Sequence, residues 1–341
     1  MAGQLKLKKN LINSFGLRKF LINQAFLLGK WLSPMHISGG LTVEPLTECN
    51  LRCPLCACPG WLTDRWRSRM SLRDFHSLVD QSKSLAPRYN FNFACEPLLH
   101  PEIAEMVEYV HHANRLSWLN TNGTQLSESL GRDLIEAHVD YMYYALDGLD
   151  AESHEFYRRG SDFQRVFENL MQFIAMKQRL KARHPYLVIF TLAHAKNYRQ
   201  EEHYREFWSK YLGKGVDQFL FYPLQLNVTK GGYGKCQEEL RKYLPDDLSK
   251  SRYKRDENGN LAPRFTNTAR YNRCPYFSDP VVASNGDLYI CCQDVFGKYK
   301  IGNVFERGFK ELWKSPLAIE LRQRARAMSL DICDTCNARG M

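Results

Sequence analysis

The chain has 341 residues, 44% of them hydrophobic and 25% charged, with 21 Gly and 14 Pro, a globular composition that excludes a disordered, collagen-like or repeat-built protein. No run of about 18 uninterrupted apolar residues occurs, which argues against a membrane-spanning helix. The net charge of +10 sits in two places: residues 1–40 carry six Lys or Arg and no acid, residues 226–272 carry ten bases and six acids, and the remainder sums to zero. Charge so localised describes a basic arm and a basic connecting segment, not a nucleic-acid-binding face, and no zinc-finger spacing or RNA-recognition aromatic signature accompanies it.

Residues 1–40 read as a basic amphipathic helical arm. Leu11, Ile12, Phe15, Phe20, Leu21, Leu27, Leu28 and Trp31 interleave with Lys8, Lys9, Arg18, Lys19 and Lys30. Such an arm either packs on the domain that follows or contacts an anionic membrane surface or an acidic partner. It lacks the small-residue cleavage site of an export signal, so the expected location is cytoplasmic.

From Leu41 to about 225 the pattern alternates strand and helix. The predicted strands are Leu41–Leu46, Tyr89–Ala94, Leu116–Asn120, Tyr141–Leu146, Leu187–Leu192 and Gln218–Tyr222. Helices are expected near Ser71–Ser84, Pro101–Ala113, Ser127–Ala137, Phe163–Leu180 and Arg199–Tyr211, with Ser71 and Ser127 as caps. Six such units make a parallel α/β sheet, either an open doubly wound sheet or a partial (β/α)6 TIM-like barrel. In both, chemistry sits at the C-terminal ends of the strands. Residues 226–272 are rich in Lys, Arg, Gly and Asn and read as a linker or a substrate-covering segment. Residues 273–341 form a short cysteine-rich unit with a hairpin signal at Asn285-Gly286-Asp287.

Eleven cysteines are many for this length, and their spacing is informative. Cys49, Cys53 and Cys56 lie within eight residues, immediately after the first predicted strand. Structural zinc takes four ligands, usually as two separated pairs, whereas three thiolates on a four-iron cube leave one iron open to a cofactor or substrate. Cys58 is close enough to act as a fourth ligand and close the site.

This spacing, placed after the first strand of a strand–helix series, resembles the radical S-adenosylmethionine (radical SAM) superfamily. Further motifs follow in order. Ala94-Cys95-Glu96-Pro97 stands where the family has a Gly-Gly-Glu-like segment, and Leu98-Leu99-His100-Pro101 is a frequent companion. Asn120-Thr121-Asn122-Gly123, Leu146-Asp147-Gly148 and Arg159-Gly160 resemble its later turns. The resemblance implies a [4Fe-4S] cluster on Cys49, Cys53 and Cys56 that chelates S-adenosylmethionine through its amine and carboxylate. Cofactor contacts would then come from Glu96, Asn122, Gly123, Asp147 and Arg159, with Glu96 on the amine and Arg159 on the carboxylate. One electron would release a 5′-deoxyadenosyl radical, which abstracts a hydrogen atom from the substrate. Ala94 and Cys95 depart from the two glycines. They are either tolerated small residues, or Cys95 is a thiol near the radical.

Cys274, Gly286 twelve positions on, Cys291, and Cys333-Asp334-Thr335-Cys336 resemble the SPASM or shortened twitch domain of the same enzymes. That resemblance implies one auxiliary [4Fe-4S] cluster on Cys274, Cys291, Cys333 and Cys336, although a four-cysteine zinc site fits the same residues. Cys292 and Cys95 are candidate hydrogen donors to a substrate radical, and Cys236 is a further thiol of this kind. The implied activity is oxidation or epimerisation of a small polar metabolite such as a sugar or aminocyclitol. Radical modification of a peptide is the alternative, and a non-catalytic iron–sulfur or zinc scaffold is a third reading. The implied partners are the substrate and an electron donor such as flavodoxin or ferredoxin.

Overall fold

The computed structural model describes residues 37, 39–56, 68–224, 240–263, 274, 277–333 and 336. Almost all of the basic arm, together with Cys58 and Cys236, lies outside these residues.

Six parallel strands form the first part of the sheet: β1 (Leu41–Val43), β2 (Arg88–Phe91), β3 (Leu116–Thr121), β4 (Tyr141–Ala145), β5 (Tyr186–Ala193) and β6 (Gln218–Pro223). Each pairs with the next in sequence order. The helices between them are α1 (Leu72–Ser82), α2 (Ile103–His112), α3 (Glu128–Glu136), α4 (Ala151–Tyr157), α5 (Phe163–Arg179) and α6 (Glu201–Ser209). Their starts are capped as the sequence suggests, Ser71 Oγ accepting from Asp74 N and Ser127 Oγ from Leu130 N, both at 3.2 Å. Helix α4 was not foreseen. It is seven residues long, too short to show a periodic stripe, and its start is fixed by Asp150, whose Oδ1 accepts from Ser153 N at 2.7 Å.

Side-chain alternation decides between the two architectures. Leu41, Val43, Tyr89, Phe91, Leu119, Met142, Tyr144, Leu187, Ile189 and Phe219 share one buried cluster with side chains of α1, α2, α3, α5 and α6. All these helices therefore pack on one face of the sheet, as in a barrel wall and unlike an open doubly wound sheet. The opposite, inner face carries Arg88, Asn90, Trp118, Asn120, Tyr141, Tyr143, Tyr186 and Val188, and its apolar members form a separate small cluster.

The C-terminal unit is not a separate module beside the barrel. Its hairpin, β9 (Val281–Val282) and β10 (Asp287–Tyr289), continues the same sheet, followed by β11 (Lys300–Asn303), in the order β11-β10-β9-β1-β2-β3-β4-β5-β6. Strand β9 runs parallel to β1, with Thr42 opposite Val281 and Val43 opposite Val282. Gly286 turns the hairpin at φ 89°, where a Cβ would lie 2.3 Å from the Phe305 ring. Helices α7 (Val304–Arg307), α8 (Phe309–Lys314) and α9 (Pro316–Arg326) follow, and Phe309, Leu312, Trp313 and Leu321 join the main core.

Part of the segment expected as a linker is packed. Strands β7 (Tyr253–Arg255) and β8 (Leu261–Pro263) form a hairpin closed by the turn Asp256–Asn260. Leu240, Tyr243, Leu244, Tyr253 and Leu261 share a buried cluster with Leu51, Cys53 and Leu55. This stretch therefore covers the first cysteine loop.

Candidate cluster and cofactor sites

The predicted residues fall where a parallel sheet presents its chemistry, beyond the C-terminal ends of the strands. Cys49, Cys53 and Cys56 follow β1, Cys95 and Glu96 follow β2, Asn122 and Gly123 follow β3, and Asp147 follows β4.

The first loop is held by polar bonds to its neighbours. Leu51 N donates to Cys49 Sγ at 3.4 Å and Asn122 Nδ2 donates to the same sulfur at 3.8 Å. Asn122 Nδ2 also reaches Asn50 Oδ1 at 3.0 Å, and Asn50 Nδ2 donates to Thr124 Oγ1 at 2.7 Å. Burial pushes the Cys53 thiol up to about 12, opposed chiefly by the Arg158 guanidinium. Metal binding at such a thiol must displace its proton. The donor chemistry fits an iron–sulfur centre, because three thiolates share one loop and amide N–H groups point at a sulfur. Among the described residues no three Cys, His, Asp or Glu side chains gather as closely as a single metal ion requires.

Glu96 is 2% exposed and fully engaged. Its Oε1 accepts from Thr121 Oγ1 at 2.7 Å and Leu98 N at 3.1 Å, and its Oε2 accepts from Asn122 N at 2.7 Å. Burial nevertheless raises its carboxyl to about 7. Glu96 thus ties the loops after β2 and β3 together at the mouth of the barrel. Gly123, at φ 77°, lies under Tyr144, whose hydroxyl oxygen would be 2.0 Å from a Cβ, and its carbonyl accepts from Asn169 Nδ2 at 2.9 Å.

Asp147 and Arg159 each have partners within the chain. Asp147 Oδ2 accepts from Arg158 Nε at 2.6 Å and its Oδ1 accepts from Leu192 N at 2.8 Å, so both oxygens are used internally. Arg159 bonds the Tyr243 hydroxyl and stands 5.6 Å over that ring. Its carbonyl accepts from Arg52 N at 2.9 Å. Arg158, which the sequence reading passed over, is the buried cation here. Among 47 Lys and Arg nothing in the sequence marks it out.

Burial above all, with the Glu44 and Glu96 carboxylates adding to it, pushes the Cys95 thiol well above its ordinary value. Glu44, also unforeseen, is fully buried at the end of β1. Phe93, just before Ala94 and Cys95, adopts φ 113°, a strained backbone for a residue with a side chain. It is held by packing on Val295 and Tyr289 of the C-terminal unit.

At the second site Cys274, Cys291 and Cys333 pack against the main core, and Cys336 lies within electrostatic range of Cys291. Gln293 N donates to Cys291 Sγ at 3.4 Å, the same amide-two-residues-on geometry as at Cys49. Cys292 is exposed, and the hydrogen bond it accepts from Cys291 lowers its thiol. Strand β10 runs opposite to β1, so Cys291 and Cys49 lie at opposite ends of the sheet. Between those ends the inner face bears an aromatic row. Arg88 stands 4.4 Å over Trp118, and Trp118 stacks on Tyr143 at 4.4 Å and on Tyr141 at 5.3 Å.

Two family models match in the same places. Residues 43–194 match the Radical SAM superfamily, and residues 274–337 match SPASM, an iron–sulfur cluster-binding domain. The chain belongs to the radical SAM superfamily and carries a SPASM domain. As such it is a radical SAM enzyme, with S-adenosylmethionine and a [4Fe-4S] cluster in the barrel and auxiliary iron–sulfur in the C-terminal domain. A relative, the mycofactocin maturase MftC of Mycobacterium tuberculosis, is 24% identical over 311 residues, 87% of this chain and 75% of that protein. The tungsten-containing aldehyde ferredoxin oxidoreductase cofactor-modifying protein of Pyrococcus furiosus is 20% identical over 333 residues, 88% of this chain and 87% of that one. The fold is shared with BtrN in complex with AdoMet and 2-DOIA (TM-score 0.51, 16% identity, 87% of this chain and 92% of that one). It is also shared with Streptococcus suis SuiB bound to the precursor peptide SuiA (TM-score 0.59, 15% identity, 94% and 75%). No described helix is long and apolar enough to cross a membrane.

Proposed function

We propose that this enzyme oxidises or epimerises a carbon of a small polar ring metabolite, such as a sugar or aminocyclitol, bound against the inner face of the barrel. The observation that carries the reading is the lining of that face. Trp118, Tyr141 and Tyr143 offer aromatic surface, while Asn90, Asn120 and Arg88 offer amide and guanidinium donors. Ring faces flanked by hydrogen-bonding groups suit a hydroxylated ring better than a long aliphatic chain.

Cys49, Cys53 and Cys56 hold the S-adenosylmethionine-binding cluster in this reading, and Cys274, Cys291, Cys333 and Cys336 hold one auxiliary [4Fe-4S] cluster. Bound there, S-adenosylmethionine and its cluster would supply the chemistry for abstracting a hydrogen atom from the substrate. Glu96 and Asn122 orient the mouth of the barrel, and Arg159 contributes a cation beside it. The 240–261 stretch and the aromatic row keep water from the reacting carbon. The opposite placement of Cys49 and Cys291 supports electron departure toward the auxiliary site in an oxidation. For an epimerisation, Cys95 or Cys292 returns the hydrogen atom. A cytoplasmic flavodoxin or ferredoxin supplies the electron, and the basic arm serves association with a membrane surface or an acidic partner.

A peptide substrate is the second reading, favoured by the likeness to SuiB, whose structure holds the precursor peptide SuiA. Anaerobic turnover with ring-deuterated sugars and aminocyclitols, alongside peptides, separates the two. Deuterium carried from a ring substrate into 5′-deoxyadenosine supports the first reading, and label arriving only from peptides overturns it. Product formation by both Cys95→Ala and Cys292→Ala without loss of epimer removes the thiol-donor role.

A further inference from the structure

Arg158 is a buried cation to which the cofactor-binding reading gives no task. Its side chain is 14% exposed and its Nε stands 2.6 Å from Asp147 Oδ2, on a carboxylate wholly removed from solvent. Asp147 is fixed from a second side by Leu192 N, and Arg158 N donates to His154 O at 2.9 Å. The segment is stitched to the first cysteine loop. Arg52 N donates to Arg159 O at 2.9 Å, and Tyr157 shares the apolar cluster of Leu51, Cys53 and Leu55. Burial pushes His154 and His194, which lie beside the Arg158–Asp147 pair, down to about 4. Both are neutral at pH 7, so neither adds charge to that pair.

A cluster that accepts one electron gains a unit of negative charge, and a fixed cation in a low-dielectric surround favours that reduced form. We propose that Arg158, held in place by Asp147, is a positioning residue that raises the reduction potential of the cluster on the Cys49–Cys53–Cys56 loop and so eases its one-electron reduction. The inference rests on the assignment of those three cysteines as ligands. The electron comes from an external one-electron donor, and no bond forms or breaks in the protein.

The test is a dithionite titration of the full-length, anaerobically reconstituted chain. It follows the electron paramagnetic resonance signal that shifts on adding S-adenosylmethionine, which separates this cluster from the auxiliary one. Arg158→Gln is expected to lower the reduced fraction at the wild-type midpoint about tenfold. Arg158→Lys, which keeps the charge, stays near wild type. Asp147→Asn leaves the cation unneutralised and moves the midpoint the other way, an independent test should Arg158→Gln fail to load iron. An unchanged midpoint in Arg158→Gln, equal shifts in Arg158→Gln and Arg158→Lys, or a downward shift in Asp147→Asn overturns the inference. A wild-type chain with no cofactor-sensitive signal, or one retained in Cys53→Ala, overturns the ligand assignment itself.

Discussion

The hydroxyl of Thr47 lies 2.6 Å from the hydroxyl of Ser284, 237 positions away in the chain. Ser284 Oγ is also 2.6 Å from Ser68 Oγ, and both Thr47 Oγ1 and Ser284 N donate to the buried Glu44 carboxylate at 3.4 Å. The start of the first cysteine loop and the hairpin of the SPASM domain thus share one buried polar knot, continuous with the β1–β9 ladder. Ser284→Val should remove two hydroxyl bonds and leave Thr47 and Ser68 short of a partner. The expected cost is about 1–3 kcal/mol, read as a lowered urea midpoint at unchanged slope.

Gly123 allows the turn after β3 to pass beneath Tyr144. Gly123→Ala combines a φ of 77° with a Cβ 2.0 Å from the Tyr144 hydroxyl and 2.1 Å from its Cζ. It should lose about 2 kcal/mol or more of stability, and Tyr144→Phe should not rescue it because the ring carbon still collides. Thermal unfolding of the two single variants and the double variant checks this.

The pH dependence of Glu96 has a definite sign. Its folded carboxyl stands at about 7 against an ordinary value of 4.5, so between those values the folded state holds more protons than the unfolded one. Its contribution to stability is complete below about 4.5 and is lost as pH rises through 7, a span of about 3 kcal/mol. Unfolding midpoints from pH 5 to 8 should fall in wild type and stay flatter in Glu96→Gln.

Iron content tests both cysteine sets at once. The reconstituted chain should hold about eight irons, two cubes of four, and Cys53→Ala or Cys333→Ala about half. Inductively coupled plasma analysis that finds about four irons with stoichiometric zinc in wild type would remove the auxiliary cluster.

Much of this was legible in the sequence because it depends on local pattern. The period-2 runs and capped 3.6-period runs placed all six barrel strands and five helices to within about three residues, since each element's hydrophobic face and its cap lie within a dozen positions. The cysteine spacings were legible for the same reason, a loop that binds one inorganic centre being short. Only the tertiary structure decided which guanidinium is buried against Asp147, because Arg158 and Arg159 are adjacent and chemically identical in the chain. What separates them is the direction each leaves the end of α4, one toward Asp147 and the other toward Tyr243. It also decided that β9 joins β1, making barrel and SPASM domain one sheet, and that Thr47, Ser68 and Ser284 share hydrogen bonds. Pairings across more than 200 residues leave no local periodic trace, because they depend on where the chain returns after folding.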